Sequence, residues 1–279
     1  MRWKGRRQSD NVVDQRGKRV SGKRGASAGA MLLLIVVGIF FGKDAQQVLS
    51  LFVGGSGQQQ ATTVSSSGSG NDQTASFVRV ILAETEDTWA AVFSQMGQSY
   101  QPPKLIMYEG QVNSACGVGS AASGPFYCPG DYKIYIDLSF LNELKRMGAP
   151  GDFAFAYVIA HEVGHHIQNI TGVASKVRKQ QSQVSKIQAN ALSVKLELQA
   201  DCLAGIWIHQ TEKRSAILEE GDIQEGLAAA AAVGDDRLMQ QAGRAPRREA
   251  FTHGSSEERM TWFRQGMRSG NIQSCNTFG

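Results

Sequence analysis

The run His161-Glu162-Val163-Gly164-His165 has a spacing suited to metal chemistry. Two histidines four residues apart share one face of an α-helix, because the helix turns every 3.6 residues, and their imidazoles can grip one ion. A glutamate directly after the first histidine faces the adjoining cleft, where its carboxylate can take a proton from water. These residue types fit zinc-assisted hydrolysis with Glu162 as general base. The run lies in an apolar segment, residues 155–168, that reads as a buried helix. A pattern this short also arises by chance, so the rest of the chain has to supply the missing ligand.

A catalytic zinc takes three protein ligands and keeps a fourth position open. One known continuation of the motif would place Gly at 168 and His at 171; this chain has Gln168 and Thr171, which excludes that class. The remaining simple option is an acidic residue on a later helix. Residues 196–205 supply Glu197 and Asp201 in an E-x-x-x-D pattern, on one face of a segment otherwise rich in Leu and Ala. Carboxylates on an apolar helix are costly to bury unless paired or bound to metal. One Zn2+ is therefore expected on His161, His165 and Glu197. Asp201 is then placed to accept the free ring N–H of a liganding histidine, His161, and so to fix its orientation. His166 cannot face the same ion and reads as a supporting residue, and His209 is given no role.

The elements that must position these residues follow from periodicity and breakers. A helix is expected over 77–96, stopped by Pro102-Pro103. Strands are expected over 104–108, 112–118, 125–128 and 133–137, and a helix over 138–147. Asp152 is the expected N-cap of the motif helix, which should end near Gly172. A helical stretch over 175–212 with a break near Asn190, and helices at 222–233 and 255–268, complete an α+β fold, predominantly helical, with a small mixed sheet.

The formal charge of +4 is unevenly spread. Residues 1–25 hold nine Lys/Arg against Asp10 and Asp14, a net of +7, and the remainder is −3. No nucleic-acid-binding face is expected in the main body. An uncharged apolar run follows, centred on residues 31–41, and Gly42-Lys43-Asp44-Ala45-Gln46 makes a poor cleavage site. The expectation is a basic cytoplasmic tail (1–25), a transmembrane signal anchor (26–44), a flexible linker (45–76) and an exported domain (77–279) in the bacterial inner membrane. Four cysteines agree with export, although four allow three connectivities. Cys116–Cys128 is the local choice, and Cys202–Cys275 would then pin the C-terminal tail to a helix. The expected partners are a peptide or protein substrate and the membrane. The oligomeric state is not legible.

With both motifs on the page, the chain resembles a gluzincin-type zinc peptidase, and more closely the bacterial neutral zinc metallopeptidase family. The resemblance runs from the basic start through Gly124-Pro125-Phe126-Tyr127-Cys128-Pro129, both zinc motifs and Phe251-Thr252-His253-Gly254-Ser255. It implies a zincin-like domain that cleaves peptide bonds in the cell envelope. It also implies an edge strand that binds substrate backbone, for which Asn113-Ser114-Ala115 offers Asn113 and Ala115. The late segment Thr252-His253-Gly254 offers His253 as a donor to the developing oxyanion, with Arg259 and Tyr157 as alternatives. The competing reading is a membrane-anchored binding or scaffold protein whose zinc site is catalytically silent.

Overall fold

The computed structural model describes residues 1–17 and 68–279. The chain opens with β1 (Val12–Asp14), and α1 (Gly68–Gln95) leads to β2 (Lys104–Tyr108). A hairpin of β3 (Gln111–Ser114) and β4 (Gly117–Ser120) precedes β5 (Phe126–Cys128) and β6 (Lys133–Asp137). Helices follow: α2 (Phe140–Arg146), α3 (Asp152–Ile170), α4 (Val173–Gln181), α5 (Lys186–Ser215), α6 (Asp222–Ala232), α7 (Asp235–Gln241) and α8 (Ser256–Ser269). The domain is predominantly helical with a small mixed sheet, in keeping with the expected α+β class.

The sheet runs β1-β2-β6-β5, with β1, β2 and β6 parallel and β5 antiparallel at one edge. Strands β2 and β6 bury nearly every residue, as inner strands of a covered sheet should. The centre of the domain is α3, which is buried on almost all sides and packs against α1, α5, α6 and β5. A helix that is apolar all round needs such enclosure. The closest helix pair is α5 with α8: a Cβ on Gly266 would lie 1.9 Å from the Cys202 carbonyl oxygen, so only glycine admits this approach. Capping boxes, Ser185 with Gln188 and Ser255 with Glu258, start α5 and α8.

Several expectations need correction. Helix α1 begins at Gly68, so residues 68–76 belong to the domain rather than to a linker. The break in the long helical stretch falls at 182–185, where the Ser185 cap restarts the helix, and not near Asn190. Asp152 is the first residue of α3 and makes no cap bond. The two expected disulfides, Cys116–Cys128 and Cys202–Cys275, are both present.

The largest correction concerns the N-terminus. Residues 1–16 are not a detached basic tail. Their strand β1 pairs in parallel with β2, and two of their four arginines are taken up by α1: Arg6 by Glu84 at 3.1 Å, Arg7 by Asp87 at 2.7 Å and Glu86 at 3.0 Å. The anchor expected at 26–44 lies outside the described residues. Among the described residues no helix is long and apolar enough to cross a membrane.

The disulfides close loops with sequence separations of 12 and 73 residues. Loop-closure entropy makes them worth about 3 and about 4 kcal/mol respectively. Urea unfolding should therefore show the larger loss for C202S/C275S than for C116S/C128S. Equal midpoints for wild type and both variants would rule out a structural role for the bridges.

Candidate metal centre

Helix α3 brings His161 and His165 to one face, and α5 crosses it to deliver Glu197. The crossing is close because Gly164 sits between the two histidines; a Cβ there would lie 3.0 Å from the Ala200 carbonyl oxygen and 3.1 Å from its Cα. The Nε2 atom of His161 lies 3.2 Å from Glu197 Oε2, and that of His165 lies 3.4 Å from Glu197 Oε1. One ligand atom from each of the three residues falls within 4.8 Å of the others. A tetrahedral zinc with bonds near 2.0–2.1 Å separates its ligand atoms by about 3.3 Å, so the donor set fits this ion in type and in spacing.

The ring nitrogens facing away from this point are held. His161 Nδ1 lies 2.8 Å from Asp201 Oδ1, and His165 Nδ1 lies 2.9 Å from Gln168 Oε1. Each imidazole donates from Nδ1 and keeps Nε2 as the metal-facing acceptor. Gln168 is itself fixed, donating to the Leu196 carbonyl at 2.7 Å and to Gln199 Oε1 at 3.1 Å. The residue that excluded one class of zinc enzyme is therefore the orienter of the second histidine.

Asp201 is fully buried. Arg259 on α8 grips both its oxygens, at 2.8 and 2.9 Å, and the Tyr157 hydroxyl donates to it as well. Burial opposes its negative charge, but Arg259 and His161 hold its pKa below the usual carboxylate range. Burial would likewise raise Glu197, yet His165 and His161 hold it well below. His161 shows the converse: burial disfavours its charge, while Asp201 and Glu197 raise its pKa to about 9 when no metal competes. Arg259 and Tyr157, two of the three oxyanion-donor candidates, are thus both engaged by Asp201.

Glu162 is buried beside the histidines, and burial raises its pKa. His165, His161 and, more weakly, the nearby backbone N–H of Tyr127 on β5 oppose that rise. The Tyr127 hydroxyl is in turn held by His166 Nδ1 at 3.1 Å and by Asn169 at 3.0 Å, while His166 Nε2 donates to the Gln101 carbonyl at 2.7 Å. His166 therefore ties the sheet edge to the motif helix.

Asn113 and Ala115 are placed otherwise than expected. They are exposed on the β3–β4 hairpin, a separate two-stranded sheet, and the edge strand packed on α3 is β5. The sequence similarity of Asn113-Ser114-Ala115 was local, whereas the identity of an edge strand depends on pairing.

His253 lies in the loop before α8, a third exposed, with Nδ1 3.1 Å from Asp235 Oδ1. The other Asp235 oxygen accepts the backbone N–H groups of Thr252, His253 and Gly254 at 2.7, 2.6 and 3.1 Å. Burial opposes a charge on His253, but Asp235 and then Glu197 raise its pKa above the ordinary value. Sequence reading missed Asp235; its only signal is an acidic residue buried at the start of a seven-residue helix.

Comparison with known proteins agrees with this geometry. A family profile described as "Putative neutral zinc metallopeptidase" matches residues 1–278. The chain belongs to this family. It is 47% identical to the Uncharacterized protein YpfJ of Escherichia coli (strain K12) over 289 aligned positions, covering 100% of this chain and 99% of that one. It is 39% identical to the Uncharacterized protein Mb2605 of Mycobacterium bovis over 213 positions, covering 72% and 71%. No solved structure matches.

Substitutions at Asp201 and Arg259 test this network on metal affinity and on stability. D201N should weaken zinc binding about 10–100-fold in a chelator competition. R259M, which strands a buried carboxylate, should lower unfolding stability by about 3–5 kcal/mol. Wild-type zinc affinity in D201N would show that Asp201 does not orient the ligand.

Proposed function

We propose that this protein hydrolyses peptide bonds of proteins in the cell envelope, with one zinc ion held by His161, His165 and Glu197. The observation that carries the reading is the position of Glu162. It is a buried carboxylate beside a three-ligand set, and a purely structural site has no use for it. When bound, zinc polarises a carbonyl and makes a water acidic near neutral pH. Glu162 takes the proton at its carboxylate and hands it to the leaving amine, a transfer that its raised pKa favours.

The substrate chain lies along β5, the edge of the sheet that packs on α3, and adds to it as a further strand. His253, with Nδ1 engaged by Asp235, presents Nε2 to the developing oxyanion. Two disulfides support an oxidising compartment outside the cytoplasm. The apolar run at 26–44 supports attachment to the membrane there.

Zinc content and turnover test the reading together. Wild type should purify with one zinc, and H161A with substantially less. E162Q should retain zinc and lose peptide hydrolysis by about 10²–10⁴-fold. Turnover retained in E162Q removes Glu162 as the base, and equal zinc in wild type and H161A removes the site. H253A should lower kcat by up to about 10²–10³-fold with little change in zinc.

A further inference from the structure

Between Glu162 and Glu197 the chain holds no acidic residue, its longest stretch without one, and five cations: Lys176, Arg178, Lys179, Lys186 and Lys195. That stretch is therefore +5, in a body (residues 26–279) whose net charge is −3. Folding puts four of the five at one corner. Helix α4 buries Ala174 and Val177 where it packs on α3 and α5, and leaves Lys176, Arg178 and Lys179 exposed. Lys186 is exposed at the start of α5. None of the four enters an ion pair among the described residues. Lys195 stands apart, 6.0 Å over the Phe278 ring.

The apex between the two helices is firmly held. The Ser182 and Gln183 backbone N–H groups donate to the Arg178 and Gln180 carbonyls at 3.2 and 3.0 Å. The Gln181 side chain donates to the Ala189 carbonyl at 3.1 Å and to the Ser193 hydroxyl at 2.9 Å, which ties the end of α4 to α5. On this fixed turn two aliphatic side chains stay in water, Val184 at 40% and Ile187 at 59% exposure. A turn needs neither, since polar residues serve its backbone as well. One exposed aliphatic residue is ordinary. Two of them with four exposed, unpaired cations, all within residues 176–187, make a surface that is basic and apolar together.

We propose that the α4–α5 corner docks on a bilayer of anionic phospholipid. Val184 and Ile187 enter the headgroup layer, and Lys176, Arg178, Lys179 and Lys186 meet lipid phosphates. A bilayer rewards both classes of side chain, by burial of aliphatic surface and by attraction of cations to anionic headgroups. An acidic polymer rewards the cations alone. The corner also offers nothing for base stacking, because residues 167–206 contain no Phe, Tyr or Trp. Ile187 precedes Glu197 by ten residues on α5, about 15 Å along the helix axis, so a docked corner keeps the metal site close to the lipid surface. The inference does not depend on what the zinc site catalyses.

The test uses the full chain. All four cysteines are in disulfides, so I187C supplies the one reactive thiol, to be labelled with a fluorophore that brightens on leaving water. The apolar run centred on residues 31–41 can bind vesicles by itself, which is why the readout sits at residue 187. Vesicles of equal parts phosphatidylcholine and phosphatidylglycerol should brighten the label and shift its emission to the blue, and a spin label carried on the lipid should quench it. Phosphatidylcholine alone should do neither. Raising salt from about 0.1 M to about 1 M, which shortens the screening length from about 10 Å to about 3 Å, should reverse the change. K176E/K179E/K186E in the same background should abolish it and leave zinc content as in the parent. Emission unchanged by the mixed vesicles, or changed equally by both kinds, overturns the proposal. So does a response to polyglutamate or single-stranded DNA in place of the mixed vesicles, which would assign the corner to an acidic polymer. Should the triple variant fail to fold, the two vesicle compositions and the salt series still decide the question.

Discussion

The structure turns on a negative charge with no access to water. Asp201 sits where α3, α5 and α8 meet, and each helix contributes to its satisfaction: His161 and Tyr157 from α3, Arg259 from α8, the carboxylate itself from α5. A buried ion pair adds little net stability over an apolar core, but breaking one is severe. Its value here is geometric. The three helices have one mutual arrangement that leaves no bare charge, and in that arrangement His161 has its Nε2 turned toward His165 and Glu197. The close contacts at Gly164 and Gly266 permit the arrangement, and Asp201 selects it.

Two elements beside the metal site are built on separate supports. One is β5, fixed to α3 through Tyr127, His166 and Asn169 and cross-linked by Cys116–Cys128 to the β3–β4 turn. The other is the loop carrying His253, wound around the Asp235 carboxylate by three backbone N–H groups. Neither relies on the metal ligands for its shape.

Much of this was legible in the chain. His161, Glu162, His165, Glu197 and Asp201 announce themselves because helical spacing converts sequence offset directly into a shared face. Gln168 and Asp235 did not, because a hydrogen-bond orienter is defined by what it meets across helices and has no spacing of its own. The edge strand was misplaced for a related reason. A short strand has the same pattern wherever it pairs, and only the register of Phe126 with Tyr135 makes β5 the edge. The basic start misled more deeply. Arg6 and Arg7 beside an apolar run have one composition whether they rest near lipid or are seated on Glu84, Glu86 and Asp87, and composition does not record the partner.

The docked arm, residues 1–16, also orders the assembly of the domain in time. The carboxylates that meet Met1 lie 151 and 221 residues further along the chain. Strand β1 must likewise wait for β2. Contacts this distant close late, because the entropy of the intervening loop has to be overcome before they yield anything. The zinc motif can thus be helical while the start of that helix is still unbraced. Only a chain synthesised as far as α6 can draw residues 1–16 into place, so the arm docks late in synthesis.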